Sequence, residues 1–307
     1  MHRAAVLDLG TNTFNLIIAQ KNGQQFDYLV NDKIPSKLGK GGIGKNEIAP
    51  DAYERGLNAI AQFSKIIDRH NVEEVKAFGT SALRTAQNAP QFCQDLKTQF
   101  GIEVEVVSGD REAELICKGV RNSVSFGQRR FLILDIGGGS NEFIITDQHH
   151  IYWKESFPLG IARLNEQLKP PYPISLETIN EAEAYFDRCL PNLFNAIKKF
   201  KPELMVGASG AFDSFCSMIW ASKNQLESKK VSNQIEISDY FLLHEQLINS
   251  KYEDLSNIKG LEAFRVEFIV LASVFVNYIV KSLEIKELWQ TVSSLKEGAM
   301  VEMLKIE

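Results

Sequence analysis

The chain reads as an α/β protein built from two similar halves, and three observations predict this. A strand–turn–strand pattern, V-L-D-L-G-T-N-T-F-N-L-I-I over 6–18, returns as I-L-D-I-G-G-G-S-N-E-F-I-I over 133–145. In each half a cluster of short apolar runs is followed by stretches with helical spacing, the order expected when helices cover a sheet. At 307 residues the chain is long for one core and ample for two.

Taken in order, the apolar runs 4–9 and 14–19 are strands joined by the polar turn Gly10-Thr11-Asn12-Thr13, and 26–30 continues as a third strand. Pro50 stands where a first helical turn starts, and Tyr53, Leu57, Ile60, Phe63 and Ile67 follow at helical spacing. Strands are expected at 75–78 and 104–107, with helices between and after them. The second half opens with strands 131–136 and 142–145 around Gly137-Gly138-Gly139-Ser140. Residues 176–200 are helical with a break near Pro191, and 204–207 is a buried strand running through Ala208-Ser209-Gly210 into a helix. Residues 262–283 form a long helix that is apolar on most sides, followed by a strand at 288–292 and a closing helix at 295–304. The expected units are 1–124 and 125–293, with the closing helix, about 294–307, packing back on the first.

The net charge is −5, whereas a protein that works on nucleic acid is usually basic, so no nucleic-acid partner is expected. Four cysteines, at 93, 117, 189 and 216, lack any C-x-x-C pair and read as buried thiols in a reducing compartment. The start, Met1-His2-Arg3, runs directly into a strand without the long apolar region of a signal peptide. The most apolar run, 268–280, is shorter than the roughly 20 residues of a membrane span and reads as a core helix. A cytoplasmic protein without a membrane partner is the expectation.

Two polar turns at equivalent places suggest anion binding. Glycine lets backbone N–H groups approach a phosphate closely, and Thr11, Thr13 and Ser140 add hydroxyl donors. Three consecutive glycines at 137–139 weaken a hairpin unless the turn has such a task. Facing each other across a cleft, the two turns would clamp a phosphate chain. Asp8, Asp135 and Glu142 lie in or beside them and suit Mg²⁺, which takes oxygen ligands and leans on one or two carboxylates plus phosphate; each could equally serve as a cap or turn residue. Glu112 falls in the first turn of a helix that Ser108 or Asp110 can cap, where it could activate water or merely complement the helix dipole. Arg84 follows a strand in Gly79-Thr80-Ser81-Ala82-Leu83-Arg84-Thr85-Ala86 and could grip phosphate in a fork or lie on the surface.

Other patterns are decoys. Gly39-Lys40-Gly41-Gly42-Ile43-Gly44 satisfies G-x-G-x-x-G, but no buried strand precedes it and Pro50 delays the helix; a loop whose Lys37, Lys40 and Lys45 attract a polyanion is the alternative. The adjacent His149-His150 would point to opposite faces of a strand. Lys198-Lys199-Phe200-Lys201 and Lys229-Lys230 read as solvated faces.

The motifs D-L-G-T-N-T at 8–13, G-T-S-A-L-R-T-A at 79–86, S-G-x-x-E-A at 108–113 and D-I-G-G-G-S at 135–140 together resemble the exopolyphosphatase / guanosine pentaphosphate phosphatase family. F-P-L-G at 157–160 with Arg163-Leu164, G-A-S-G at 207–210 and the terminal Glu297-Gly298 fit the same pattern in the same order. The resemblance implies two actin-like (ribonuclease H-like) domains with an interdomain cleft, in the actin/Hsp70/sugar-kinase superfamily. It implies Glu112 as general base and Arg84 as a phosphate-binding arginine. Thr11, Asn12, Thr13, Gly137, Gly138, Gly139, Ser140, Gly207, Ser209 and Gly210 match phosphate-binding positions, and Asp8, Asp135 and Glu142 match metal-related acids. The implied activity is Mg²⁺-dependent removal of terminal phosphate from inorganic polyphosphate or of the 5′ phosphate from guanosine pentaphosphate, and members often pair as homodimers. Asn141, Lys37 and Lys296 depart from the family pattern, which has threonine at the first position and arginine at the other two. A small-molecule kinase and a non-enzymatic polyphosphate or nucleotide sensor of the same superfamily are the rival readings.

Overall fold

The computed structural model describes residues 2–306 apart from Ser209, Glu227 and Lys229. In the first half, β1 (Arg3–Leu9), β2 (Phe14–Asn22) and β3 (Gln25–Ile34) form an antiparallel meander. After α1 (Pro50–Arg69) come β4 (Glu74–Gly79), α2 (Ser81–Thr85), α3 (Ala89–Phe100) and β5 (Val104–Val106), and the five-stranded sheet has the order β3-β2-β1-β4-β5. α4 (Gly109–Ser123) leads to a second meander of β6 (Phe131–Ile136), β7 (Asn141–Thr146) and β8 (Ile151–Phe157). Then follow α5 (Ile161–Leu168), α6 (Leu176–Cys189), α7 (Pro191–Phe200), β9 (Leu204–Ala208), α8 (Gly210–Ser222), β10 (Ser232–Ile235), α9 (Ile237–Asn249), α10 (Tyr252–Leu255), α11 (Val266–Ser282), β11 (Leu288–Thr291) and α12 (Leu295–Met303).

The second sheet has the order β10-β11-β9-β6-β7-β8. Its β6, β7, β8, β9 and β11 repeat the topology of β1 to β5, and β10 is an added antiparallel edge. The repeat read in the sequence is thus a repeat of sheet topology. β1 and β6 sit in the middle of their sheets, covered on both faces, so they are continuous apolar runs instead of alternating ones.

Each sheet buries its outer face under its own helices. On the first, Leu7, Leu9 and Leu16 meet Ile60 and Phe63 of α1 and Phe92 and Leu96 of α3. On the second, Leu132, Leu134 and Phe143 meet Phe186, Phe215 and Phe275. The long helix expected from residue 262 begins at Val266, after a 3₁₀ turn at Ala263–Arg265. The stretch Ala263–Ser282 is long and apolar enough to cross a membrane, yet 72% of its most apolar window is buried, which makes it a core helix.

The inner faces share one helical layer. α4 packs against β7, β8 and α12, while α12 packs against β1, β2 and α4. Leu115, Ile116, Val120, Ala299 and Met300 from these helices join Val6 and Ile17 of one sheet to Ile133 and Ile144 of the other in a single core. The helices cross at two glycines. A methyl group on Gly298 would stand 1.8 Å from the Leu115 carbonyl oxygen, and one on Gly119 would stand 2.2 Å from that of Ser294. No side chain fits there, so Glu297-Gly298 is a packing motif as well as a helix start. The four thiols are free, but only Cys117 and Cys216 are buried, whereas Cys93 and Cys189 are partly exposed. The basic run at 198–201 has its three lysines exposed, and Lys229 lies outside the described residues.

Candidate active site between the two turns

The turns Gly10–Thr13 and Gly137–Ser140 meet at the cleft and line one cavity of about 170 Å³. Each is closed by its own hydrogen bond, Gly10 N to Thr13 O at 3.2 Å and Gly137 N to Ser140 O at 3.0 Å. Each is also held from behind by the segment after the third strand of its half. Lys37 N and Gly39 N donate to the carbonyls of Asn12 and Thr11 at 2.8 and 3.0 Å. Ile161 N donates to Gly137 O, and Ala162 N and Arg163 N donate to Gly138 O, at 2.9 to 3.2 Å. In a trans peptide the carbonyl of one residue and the N–H of the next point in opposite directions. With these carbonyls tied back, the N–H groups of Asn12, Thr13, Gly138 and Gly139 turn away from the buttresses, toward the cavity. Such convergent amides make an anion cradle.

The triple glycine serves close approach between protein segments. A Cβ on Gly138 would lie 2.8 Å from the Asn12 side chain, and one on Gly139 would lie 2.5 Å from Ser81 Oγ and 2.9 Å from Thr11 Oγ1. The two turns therefore touch across the cleft. Thr11 Oγ1 is buried and has no hydrogen-bond partner in this arrangement, a polar atom left for a ligand.

Four acids border the cavity: Asp8, Glu112, Asp135 and Glu142. Burial, opposed by Lys296 and by the Asn15 hydrogen bond, leaves the Asp8 carboxyl raised to about 6. Burial raises Glu142 to about 7 against hydrogen bonds from Ser156 and Ser140. Burial, and then the charge of Glu142 on Glu112 and of Glu112 on Asp135, hold both carboxyls well above the usual carboxylate range. Lys296 lies beneath this group, paired to Glu297 at 3.0 Å. Burial would lower its pKa, but Glu297, Asp8 and Asp213 hold it up, so it stays charged.

Glu112 is on the first turn of α4, whose N-cap is Ser108, with Ser108 Oγ accepting from Arg111 N at 3.2 Å. Only 7% exposed, it accepts from Arg84 Nη1 at 2.8 Å, and Arg84 Nη1 also meets Val107 O at 2.9 Å. Arg84 Nη2 reaches Ser140 Oγ at 3.3 Å; Ser140 donates to Glu142 at 2.8 Å and Ser156 donates to the same carboxylate at 2.6 Å. A hydrogen-bonded chain thus crosses from the first half to the second, joining the candidate base to the second turn.

The structure brings Asp8, Thr11, Asn12, Thr13, Glu112, Asp135, Gly137 to Ser140, Glu142 and Gly210 together around the cavity. Arg84 stands just behind its Ser140 wall. Gly207 is elsewhere: it sits inside β9, where a Cβ would lie 2.1 Å from the Phe212 ring, so its small size serves helix packing and it does not line the cavity. Ser209 lies outside the described residues. Among the described residues no three His, Cys, Asp or Glu side chains form a self-contained metal group.

The site also uses residues to which the sequence assigned no role in it. Ser81 lines the cavity, and Ser156 holds Glu142. The two buttresses are Leu38-Gly39 and Leu159-Gly160, with both leucines buried. Their signal was available as a Leu-Gly pair shortly after the third strand of each half. The loop at 39–44, a failed nucleotide motif, is part of the first buttress and reaches across the cleft, where Gly41 N donates to Glu166 at 2.8 Å. Lys37, instead of waiting for a polyanion, pairs with Glu267 at 2.9 Å.

Comparison with known proteins places the chain by sequence and by fold. The Ppx/GppA phosphatase family matches residues 17–307. A guanosine-5′-triphosphate,3′-diphosphate pyrophosphatase of Photobacterium profundum is 28% identical over 301 residues, covering 98% of this chain but 59% of its own length. The chain therefore spans a little over half of that relative. The crystal structure of an exopolyphosphatase from Cytophaga hutchinsonii superposes with a TM-score of 0.96 at 35% identity, over 99% of this chain and 98% of that one. The Aquifex aeolicus Ppx/GppA family member shares the fold, with a TM-score of 0.80 at 23% identity, over 99% of this chain and 98% of its own. The chain belongs to the Ppx/GppA phosphatase family.

Proposed function

We propose that this cleft hydrolyses terminal phosphoanhydride bonds, releasing orthophosphate from inorganic polyphosphate. The observation that carries the reading is the Glu112–Arg84 pair, 2.8 Å apart, with Glu112 buried beside two turns whose amides converge on one cavity. The exopolyphosphatase from Cytophaga hutchinsonii, matched over nearly its whole length, supports polyphosphate as the substrate.

A terminal phosphoryl group fits between the turns at 8–13 and 137–140, its oxygens taking the amides of Asn12, Thr13, Gly138 and Gly139 and the Thr11 hydroxyl. Arg84 Nη2, which now touches only the Ser140 hydroxyl, neutralises charge on the transferred group. Glu112 takes a proton from the attacking water as its oxygen bonds to phosphorus, and the anhydride P–O bond breaks with its electron pair leaving on the departing chain. A base with a raised pKa suits this step near neutral pH, provided Arg84 helps to keep it ionised.

The donor chemistry fits Mg²⁺. Four acids around one cavity face three cations, Arg84, Lys296 and Arg265, and every candidate ligand atom is an oxygen. One or two of Asp8, Asp135 and Glu142 would hold the ion, directly or through water, with phosphate and water oxygens completing its shell; it would supply neutralisation of charge on the reacting phosphates.

A second substrate, guanosine pentaphosphate, is favoured by one feature. The far wall of the cavity carries Phe264, Phe268 and Ile269 with Arg265, an apolar surface that a nucleobase could face. The test is Mg²⁺-dependent phosphate release from polyphosphate, guanosine pentaphosphate and ATP by the natural chain and by Glu112→Gln. The variant should lose roughly 10²–10⁴ in turnover with little loss of binding, as general-base removal does. Absence of release from all three by folded protein overturns the hydrolase reading in favour of a sensor or kinase.

A further inference from the structure

Behind the Arg84–Ser140 contact lies a second, open cavity of about 440 Å³ that shares Ser81 and Ser140 with the first. Its lining includes Arg163, on the first turn of α5, and Ser108, the cap of α4. Arg163 Nη1 donates to the Ile43 carbonyl at 3.2 Å, while its Nε is buried and without a partner. No carboxylate lies within ion-pair distance of Arg163 among the described residues, in contrast to Arg84, which is paired with Glu112.

Of the acids at the rim, Asp110 is met by Lys154 at 3.3 Å, whereas Glu155 accepts from the neutral amide of Asn192 at 3.1 Å and keeps its charge. The N-terminus of α4, a helix of 15 residues, adds its positive end at Ser108 and Gly109. Among the described residues lining this cavity, Arg163 is the cation without a counterion, and one of its donors is unsatisfied. A buried donor left unpaired is expensive unless a ligand meets it.

We propose that this second cavity is an anion subsite, in which Arg163 holds a phosphoryl group beyond the one clamped between the turns. The proposal rests on the phosphoanhydride reading for the identity of its ligand, though its geometry stands apart from it. The phosphoryl group has two sources, the next residue of the bound chain or the orthophosphate just released. Ser81 and Ser140, common to both cavities, mark where the two connect.

The test is calorimetric titration of the full chain with inorganic tripolyphosphate and with orthophosphate, for the natural protein, Arg163→Met and Glu155→Gln. Arg163→Met should weaken anion binding by about tenfold or more, the usual size of a lost charge-assisted pair. Glu155→Gln removes a rim acid without touching the buried chain, and should tighten binding by about two- to fivefold. Weakening confined to tripolyphosphate identifies the bound chain as the source; weakening of orthophosphate, with relief of product inhibition, identifies the released product. If neither variant changes the affinity of either anion, the subsite is overturned, and Glu155→Gln decides the matter should Arg163→Met not fold. Phosphate release measured on the same natural protein separates the two claims. Release with unchanged affinities in both variants removes the subsite alone, and altered affinities without release remove the hydrolase reading alone.

Discussion

The two turns that meet at the cleft share one backbone plan, and they differ in the residue that faces the aspartate across each strand pair. In the first, Asp8 on β1 stands across from Asn15 on β2, and Asn15 Nδ2 donates to Asp8 at 3.0 Å. In the second, Asp135 on β6 stands across from Glu142 on β7 at the equivalent register. Like charges directly opposite each other destabilise a sheet. The first half thus satisfies its acid internally, whereas the second keeps two acids in opposition and turns one of them toward Ser140 and Ser156. Folding alone gives no reason for the second arrangement, and residue 142 is where the two strand pairs differ in charge.

Beyond Glu112→Gln, whose effect should be the largest, the most direct way to break this asymmetry is Glu142→Asn, which copies the first turn into the second. Phosphate release and divalent-cation affinity should fall by roughly 10–100-fold, the range seen when a residue supporting a metal site is removed. Meanwhile the melting temperature of the ion-free protein should rise, since one of two opposed buried acids is gone. Loss of stability together with loss of activity would show that Glu142 is structural.

The buttresses offer a second contrast. A methyl on Gly160 would press on the backbone of Gly138 and Gly139 at 2.3 Å, while one on Gly39 would meet the Thr11 side-chain methyl at 2.5 Å. Backbone cannot move aside as a side chain can. Gly160→Ala should therefore destabilise by about 2–3 kcal/mol and Gly39→Ala by about 1 kcal/mol, measured by denaturant unfolding. Equal effects would mean that the second turn is as adaptable as the first.

The smallest effect concerns the outer core of the second half, away from the cleft. His244 is buried, with Nδ1 2.6 Å from Ser273 Oγ, and burial holds it down to about 4, with Glu245 raising and Lys281 lowering it. A base depressed in the folded state contributes stability that is complete above its unfolded pKa near 6.5 and is lost as pH falls toward 4. Melting temperature should decline across that window, and His244→Gln should flatten the decline. An unchanged slope would place the acid sensitivity in other groups.

Much of this was legible in the residues. The repeated Asp–turn–strand pattern carried the topology, because a hairpin turn and its flanking apolar runs are encoded locally. Pro50 and Ser108 marked helix starts that the structure keeps. Asp8, Asp135, Glu142, Glu112 and the turn residues were named from local chemistry and do line one cavity. Gly207 packs beneath Phe212, and a glycine needed there looks in a string like a glycine needed beside a phosphate. The start of α11 was placed early because Ala263–Arg265 has the same apolar spacing as the helix it precedes.

The sequence by itself determined the two-part α/β plan and the chemical content of the turns, since periodicity, glycine and acid placement act over a few neighbouring residues. Only the tertiary structure decided that α4 and α12 cross at Gly119 and Gly298 between the sheets, that Arg84 reaches both Glu112 and Ser140, and that Lys296 lies beneath the acids. These pairings join residues dozens to hundreds of positions apart, and their energies come from close packing and burial, which no local pattern records.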